Sequence, residues 1–260
     1  MHNTTTLANA WLVCPRPNPR ASLRLFCFPH AGGGVSAFST WTPDLLPGVE
    51  LCLVQLPGRE NRIQEPPVKQ LSVLVRMVAD ALGPAMTCPF AFFGHSMGAL
   101  IAFELARELR RQGRRMPQYL FASAHRAPQL ENTSRQLHTL PDGELIQEMA
   151  EMNGTPAAIL DNQEFMQLVL PIFRADLELC ETYVYTDEYP LGCSISAFGG
   201  TKDPEVTWEH LISWQQQTCM TFTVRMFPGD HFFIQQARAT VQQDIALHLA
   251  GRPEAHYAVH

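Results

Sequence analysis

A chain of 260 residues with a net charge of −6 has the length of one large α/β domain or two small ones, and its acidity argues against a nucleic-acid partner. Its polar start, Met1 to Ala10, lacks a basic stretch followed by an apolar core, so no signal peptide is expected, and no apolar run approaches the ~20 residues of a membrane span. Seven scattered cysteines without a CxxC pair argue against a zinc site or disulfide framework and predict a protein of the reducing cytoplasm, with a monomer as the default.

Residues 1–22, stiffened by Pro15, Pro17 and Pro19, read as an extended lead-in whose Trp11 and Leu12 pack onto the body. Residues 23–28 are the first strand pattern, followed by Pro29-His30-Ala31-Gly32-Gly33-Gly34, where the backbone must turn tightly or approach something closely. Residues 36–46 predict an amphipathic helix. Residues 51–56 predict a second strand, ending in Pro57-Gly58-Arg59-Glu60-Asn61-Arg62. A helix over 71–82 stops at Gly83-Pro84. The aromatic run from Phe90 to Phe93 is a buried strand, the spacing over 99–111 a helix, and 118–123 a fourth strand.

The alternation then breaks. Between His125 and about Tyr189 there is no strand pattern, only helical patterns at 142–153, 164–173 and 174–185, which predicts an insertion. Strands at 193–198 and 221–227 and helices at 206–218 and 240–249 resume the alternation. Strands separated by helices imply a mostly parallel sheet covered on both faces, with its site at the carboxyl ends of the strands.

Gly94-His95-Ser96-Met97-Gly98 sits between strand and helix, the context of a nucleophile elbow. Gly94 and Gly98 leave room around a strained apex, and Ser96 would stand at a helix N-terminus, which favours negative charge. Two later strand-end loops supply partners: Gly199-Gly200-Thr201-Lys202-Asp203-Pro204-Glu205 and Pro228-Gly229-Asp230-His231. His231 is the expected general base, the histidine that directly follows a strand; His210 and His248 fall inside helical patterns, and His256 and His260 in the tail. Asp203 is the preferred acid, lifted out of the strand end by a Gly-Gly turn, with Glu205 and Asp187 as alternatives; Asp230, adjacent to His231, is poorly placed to reach its ring. The expected oxyanion donors are the N–H groups of Met97 and Ala31. No Lys-Ser/Thr follows Gly34, so a phosphate-cradling loop is excluded.

His30 either lines the pocket or caps its turn. Arg59, Arg62 and Arg126 follow strands on the catalytic rim, where they contact an anionic substrate arm or form structural salt bridges. The cluster Arg107, Arg110, Arg111, Arg114, Arg115 reads as a solvated helix end roughly 20 Å from Ser96, at ~1.5 Å rise per residue.

Phe-Cys-Phe-Pro-His-Ala-Gly-Gly-Gly, Leu-Pro-Gly-Arg-Glu-Asn-Arg, Gly-His-Ser-Met-Gly-Ala, Arg-Ala-Pro and Pro-Gly-Asp-His-Phe-Phe together resemble the type II (editing) thioesterases of nonribosomal peptide and polyketide synthases. The likeness runs from Trp11 to about Leu249 and includes Leu-Pro-Ile-Phe-Arg-Ala-Asp in the insertion. It implies a single α/β-hydrolase domain over 1–260, a helical lid at 125–190, a Ser96–His231–Asp203 triad and oxyanion donors at Ala31 and Met97. It further implies hydrolysis of acyl or aminoacyl thioesters on the phosphopantetheine arm of a carrier protein, with no cofactor or metal on the enzyme itself. Two departures stand out. His30 stands where many relatives carry Tyr, and Ala124-His125 replaces a more usual Gly-Arg before Arg126. A chain-terminating fatty acyl-carrier thioesterase, a generic esterase or lipase and a non-catalytic α/β-hydrolase relative are the competing readings.

Overall fold

Side chains alternate across a strand, and here the two sides face two separate cores. In Leu23–Phe28 (β2), Phe26 and Phe28 join one apolar cluster while Leu25 and Cys27 join the other. In Phe90–His95 (β4), Phe90 and Phe92 divide from Ala91 and Phe93 in the same way. A strand apolar on both faces belongs in the middle of a covered sheet. The computed structural model, which describes residues 10–41, 48–132, 135–152, 154 and 157–251, places them there.

The remaining strands are Leu12–Val13 (β1), Val49–Val54 (β3), Tyr119–Ser123 (β5), Ser194–Gly200 (β6) and Phe222–Phe227 (β7). Their order is β1-β3-β2-β4-β5-β6-β7, parallel throughout except for the edge strand β1, which runs antiparallel to β3 with Leu12 opposite Val54. Helices Leu71–Leu82 (α1) and Met97–Arg111 (α2) cover one face, and the aliphatic side of Arg238–Leu249 (α8, numbered with those below) covers the other. Between β5 and β6 lie Asp142–Glu151 (α3), Ala157–Leu160 (α4) and Gln163–Glu181 (α5), which share their own small core of Leu140, Leu145, Met149, Met166, Leu170 and Phe173. Trp208–Ile212 (α6) and Phe233–Gln236 (α7) complete the set.

Several expectations change. The helix expected over 36–46 is a short 3-10 turn, Val35–Phe38, and residues 42–47 lie outside the described ones. The two helices expected at 164–173 and 174–185 are a single helix, α5, which continues through Pro171. Proline removes one N–H from the ladder; the buried face of Met166, Leu170, Phe173, Asp176 and Leu179 offsets that loss. The helix expected over 206–218 divides into α6 and a 3-10 segment, Ser213–Gln217. Gly199 and Gly200 end β6 instead of forming a turn, because a Cβ on Gly199 would lie 2.5 Å from Leu211 and one on Gly200 2.2 Å from the Asp230 carbonyl oxygen.

The arginine cluster is a solvated helix end only in part, with Arg111 and Arg115 exposed. Arg107 is 2% exposed and binds Glu104 at 2.9 Å, while Glu188 gathers Arg107, Arg110 and Arg111 at 2.8, 2.7 and 2.5 Å. Partial burial works against the Glu188 charge, but the three arginines hold its carboxyl down at about 2. Among the described residues no helix is long and apolar enough to cross a membrane.

Candidate active site

β4 delivers the serine. Ser96 follows the strand's last residue and caps α2 with φ +54° and ψ −121°, a region where a side chain costs on the order of 1–3 kcal/mol. The surroundings hold it there. Ser96 N–H donates to the Ser123 carbonyl at 2.7 Å, and its own carbonyl accepts from Ala99 at 2.8 Å. The flanking glycines are required by contact: a Cβ on Gly94 would lie 2.1 Å from the Gly98 carbonyl oxygen, and one on Gly98 2.1 Å from that of Phe28. Strand, elbow and helix therefore interlock through backbone alone.

The loops after β6 and β7 bring the partners. They are stitched together by Thr201 N–H to the Phe227 carbonyl (2.9 Å) and Lys202 N–H to that of Gly229 (2.8 Å). His231 Nε2 lies 3.0 Å from Ser96 Oγ, and its Nδ1 lies 2.8 Å from Asp203 Oδ2. The other carboxylate oxygen, Oδ1, accepts from the N–H groups of Glu205 and Val206 at 2.9 and 3.2 Å. Both remaining acids near His231 are accounted for: Asp230 Oδ1 accepts from Phe232 N–H at 2.9 Å, and Glu205 is exposed. Asp187 stands elsewhere, beside Tyr185 and Tyr189.

Electrostatics favour a charge-accepting His231. Burial pushes its imidazole toward the neutral form, but the hydrogen bond and charge of Asp203, with Glu205 and Asp230 beyond, raise its pKa above the ordinary value. The neighbouring histidines go the other way. Burial, then the proximity of His231, pushes His30 down to about 4, and the same causes hold His95 well below its usual range. Burial and the Arg126 charge take His125 down to about 3. Asp203 thus faces one chargeable ring.

The two expected oxyanion donors lie in different elements. Met97 is the first residue of α2, where an N–H has no carbonyl within the helix to bind. Ala31 lies in the turn His30–Gly33, closed by Gly33 N–H to the His30 carbonyl at 3.0 Å, with Gly32 at φ +73°. Among the described residues neither amide has an acceptor. Beside this turn a cavity of about 80 Å³ is lined by His30, Ala31, Met149, Met152, Phe173 and Phe232. His30 lines it, its ring 5.0 Å from that of Phe232 and edge-on.

The arginines divide. Arg59 is buried in an ion pair with Asp176 of α5, at 2.8 Å through both terminal nitrogens, and Arg62 is buried against Glu65, the Gln55 carbonyl and the Trp11 ring. Neither is free for a substrate, because each buried guanidinium is already committed to a carboxylate, that of Asp176 out of water and that of Glu65 at the surface. Arg126, half-buried after β5, has its pKa lowered by burial, with Cys180 and Glu205 opposing. Asp176 is the residue near the site that sequence reasoning assigned no role. The available signal was its position three residues after Phe173, which puts an acid on the apolar face of a helix.

A mostly parallel sheet, helices on both faces and a serine at the strand-to-helix elbow define an α/β-hydrolase fold. Within that class the chain belongs to the thioesterase family, whose Thioesterase domain model matches residues 23–248, and it is accordingly a hydrolase of thioester bonds. It is 46% identical over 230 residues to the gramicidin S biosynthesis protein GrsT of Aneurinibacillus migulanus, covering 88% of this chain and 90% of that one. Among solved structures it is similar to the type II thioesterase BorB from the borrelidin biosynthetic cluster, with a TM-score of 0.85 at 34% identity over 92% of this chain and 98% of that chain. It is also similar to the RedJ thioesterase of the prodiginine pathway in Streptomyces coelicolor, with a TM-score of 0.82 at 39% identity over 89% of this chain and 91% of that chain.

Proposed function

We propose that this thioesterase clears acyl or aminoacyl groups from the phosphopantetheine arm of carrier proteins in a nonribosomal peptide or polyketide synthase, releasing modules that are stalled or wrongly primed. The observation that carries the chemistry is the continuous line from Asp203 through His231 to Ser96, with contacts of 2.8 and 3.0 Å. The pathway assignment draws on the similarity to GrsT, BorB and RedJ, proteins of biosynthetic clusters.

In this reading Ser96 Oγ attacks the thioester carbon while His231 Nε2 takes its proton. The carbonyl oxygen becomes an oxyanion held by the N–H groups of Ala31 and Met97. Collapse breaks the C–S bond, and His231 returns the proton to the departing thiol. Water then adds to the acyl-serine with His231 as base, and the carboxylic acid leaves with Ser96 restored. Asp203 holds the Nδ1–H tautomer throughout. No cofactor on the enzyme enters any of these steps. Arg126, half-buried after β5, is one cation that could meet the arm's phosphate.

The test is hydrolysis of an acetyl group on a carrier protein, on coenzyme A and on a nitrophenyl ester, with wild type against Ser96→Ala. Faster turnover of the carrier-linked group, lost in the variant, supports the proposal. Equal or better activity on the free ester points to an esterase, and turnover retained by Ser96→Ala refutes the mechanism.

A further inference from the structure

The turn that presents Ala31 N–H is gripped from outside, and the grip comes from the insertion. Gly32 N–H, the next amide after that of Ala31, donates to Asp176 Oδ2 at 2.7 Å across 144 residues of sequence. The following carbonyl, that of Gly33, accepts from Arg59 Nη1 at 2.9 Å. Arg59 and Asp176 close the ring on each other at 2.8 and 2.8 Å, with side chains 5% and 3% exposed. Arg59 is fixed in turn by Nε to the Pro57 carbonyl (3.3 Å), and its own carbonyl accepts from Gln55 Nε2 at 2.8 Å. Phe173, one helical turn before Asp176, lies 3.1 Å from where a Cβ on Gly32 would stand. Glu60 holds the far end of the loop through Ser36 N–H at 3.0 Å.

The pairing also meets an electrostatic requirement. A lone carboxylate one residue from the oxyanion site would repel the charge that develops there. Asp176 can orient Gly32 only because the Arg59 guanidinium neutralises it. The Gly-Arg-Glu loop after β3 thereby acquires a use, since its arginine and glutamate both brace the glycine-rich loop after β2.

Resting on the proposed oxyanion role of Ala31, the geometry points to Asp176 as a positioning residue: with Arg59, it orients the His30–Gly33 turn so that Ala31 N–H faces the reacting carbonyl, and so makes the insertion part of the oxyanion hole. The residue touches no substrate. It acts through the backbone of Gly32.

A structural ion pair and a positioning clamp differ in what rescues them. Replacing a buried pair with apolar residues of similar size often leaves stability intact, whereas removing one partner strands a charge. The double variant Arg59→Met/Asp176→Leu is therefore expected to melt near the wild-type temperature, yet to lose about 10²-fold in kcat on acetyl-S-pantetheine with KM little changed, since a misplaced catalytic group costs about that much. Asp176→Asn keeps an acceptor for Gly32 N–H but strands the Arg59 charge; it is expected to melt lower and lose less kcat than the double variant. Activity and stability would thus run in opposite order. A second readout compares acetyl-S-pantetheine with its dithioacetate, whose thiocarbonyl sulfur is a poor partner for the backbone donors. The oxo-to-thiono rate ratio should fall in the double variant and stay unchanged if the role is merely structural.

Ser96→Ala serves as the reference. If it retains turnover, the reading of the site fails, whatever the clamp does. If it is inactive but kcat follows melting temperature across the clamp variants, or the substrate ratio stays fixed in the double variant, the positioning role alone is overturned. Should Asp176→Asn not fold, the ratio in the double variant decides.

Discussion

Asp203→Asn puts the proposed triad to a test whose outcome the hydrogen bonds already constrain. The two carboxylate oxygens do different work: Oδ1 accepts from the amides of Glu205 and Val206, and Oδ2 faces His231 Nδ1 at 2.8 Å. An asparagine must serve the same two backbone donors, so its amide oxygen takes the Oδ1 place and its NH₂ turns toward His231. A donor there requires a bare Nδ1 and moves the ring proton to Nε2, opposite Ser96, where the ring can no longer accept. The wrong tautomer costs about 10⁴ in kcat, or about 5.4 kcal/mol of transition-state stabilisation at ~1.36 kcal/mol per decade. The swap is isosteric, so the melting temperature should scarcely move. The assay is steady-state hydrolysis of an acetyl-carrier thioester from pH 5 to 9, alongside thermal melts. In wild type the neutral base is lost as pH falls through the raised His231 pKa. Without the Asp203 charge that pKa drops, and the acid limb of the residual activity moves to lower pH. Activity within tenfold of wild type, or an unmoved limb, would refute the reasoning and pass the role to another acid.

Three further outcomes are expected. Ser96→Gly removes a strain of about 1–3 kcal/mol at an unfolded-state cost of about 0.4–1 kcal/mol, so urea melts should show an inactive protein about 1 kcal/mol more stable. Gly98→Ala drives a Cβ to 2.1 Å from the Phe28 carbonyl oxygen and 2.8 Å from that of Pro29; as an overpacked site it should lose about 1–3 kcal/mol, and its kcat should fall because the displaced strand leads directly into the proposed oxyanion turn. Glu188→Gln tests the arginine cluster. The wild-type carboxyl titrates at about 2 instead of the ordinary 4.5, so its stabilisation is full above 4.5 and fades as pH falls toward 2. The melting temperatures of variant and wild type should therefore differ at pH 7 and converge near pH 2.

Much of this was legible from local pattern. The order of strands and helices, the elbow and the loops bearing Asp203 and His231 follow from short-range signals: apolar runs, helical spacing, and glycines at breaks. What was hidden depended on distant partners. Arg59 read as a rim residue because a positive charge after a strand looks exposed; its burial requires Asp176, 117 residues later. Arg107 read as solvated for the same reason, since nothing near it in sequence announces Glu188. The Gly199-Gly200 pair looked like a turn, and only the approach of Asp230 and Leu211 explains glycines in a strand. The boundary expected between Phe173 and Arg174 is overridden by a buried face that runs through it, and a two-residue edge strand such as β1 is too short to leave a periodic trace.

The single length of α5 has a practical corollary for anyone recombining these enzymes. One end of the rod carries part of the insertion's apolar core, and further along it Asp176 neutralises a guanidinium rooted in the loop after β3. Exchanging the segment between β5 and β6 with that of a relative, to alter which acyl groups are admitted, also exchanges the counter-charge of Arg59. A graft lacking an acid at that position inherits an unpaired cation under the glycine-rich loop. The modular boundary of this protein therefore runs through the ion pair, and a chimera must carry position 59 and position 176 from the same parent.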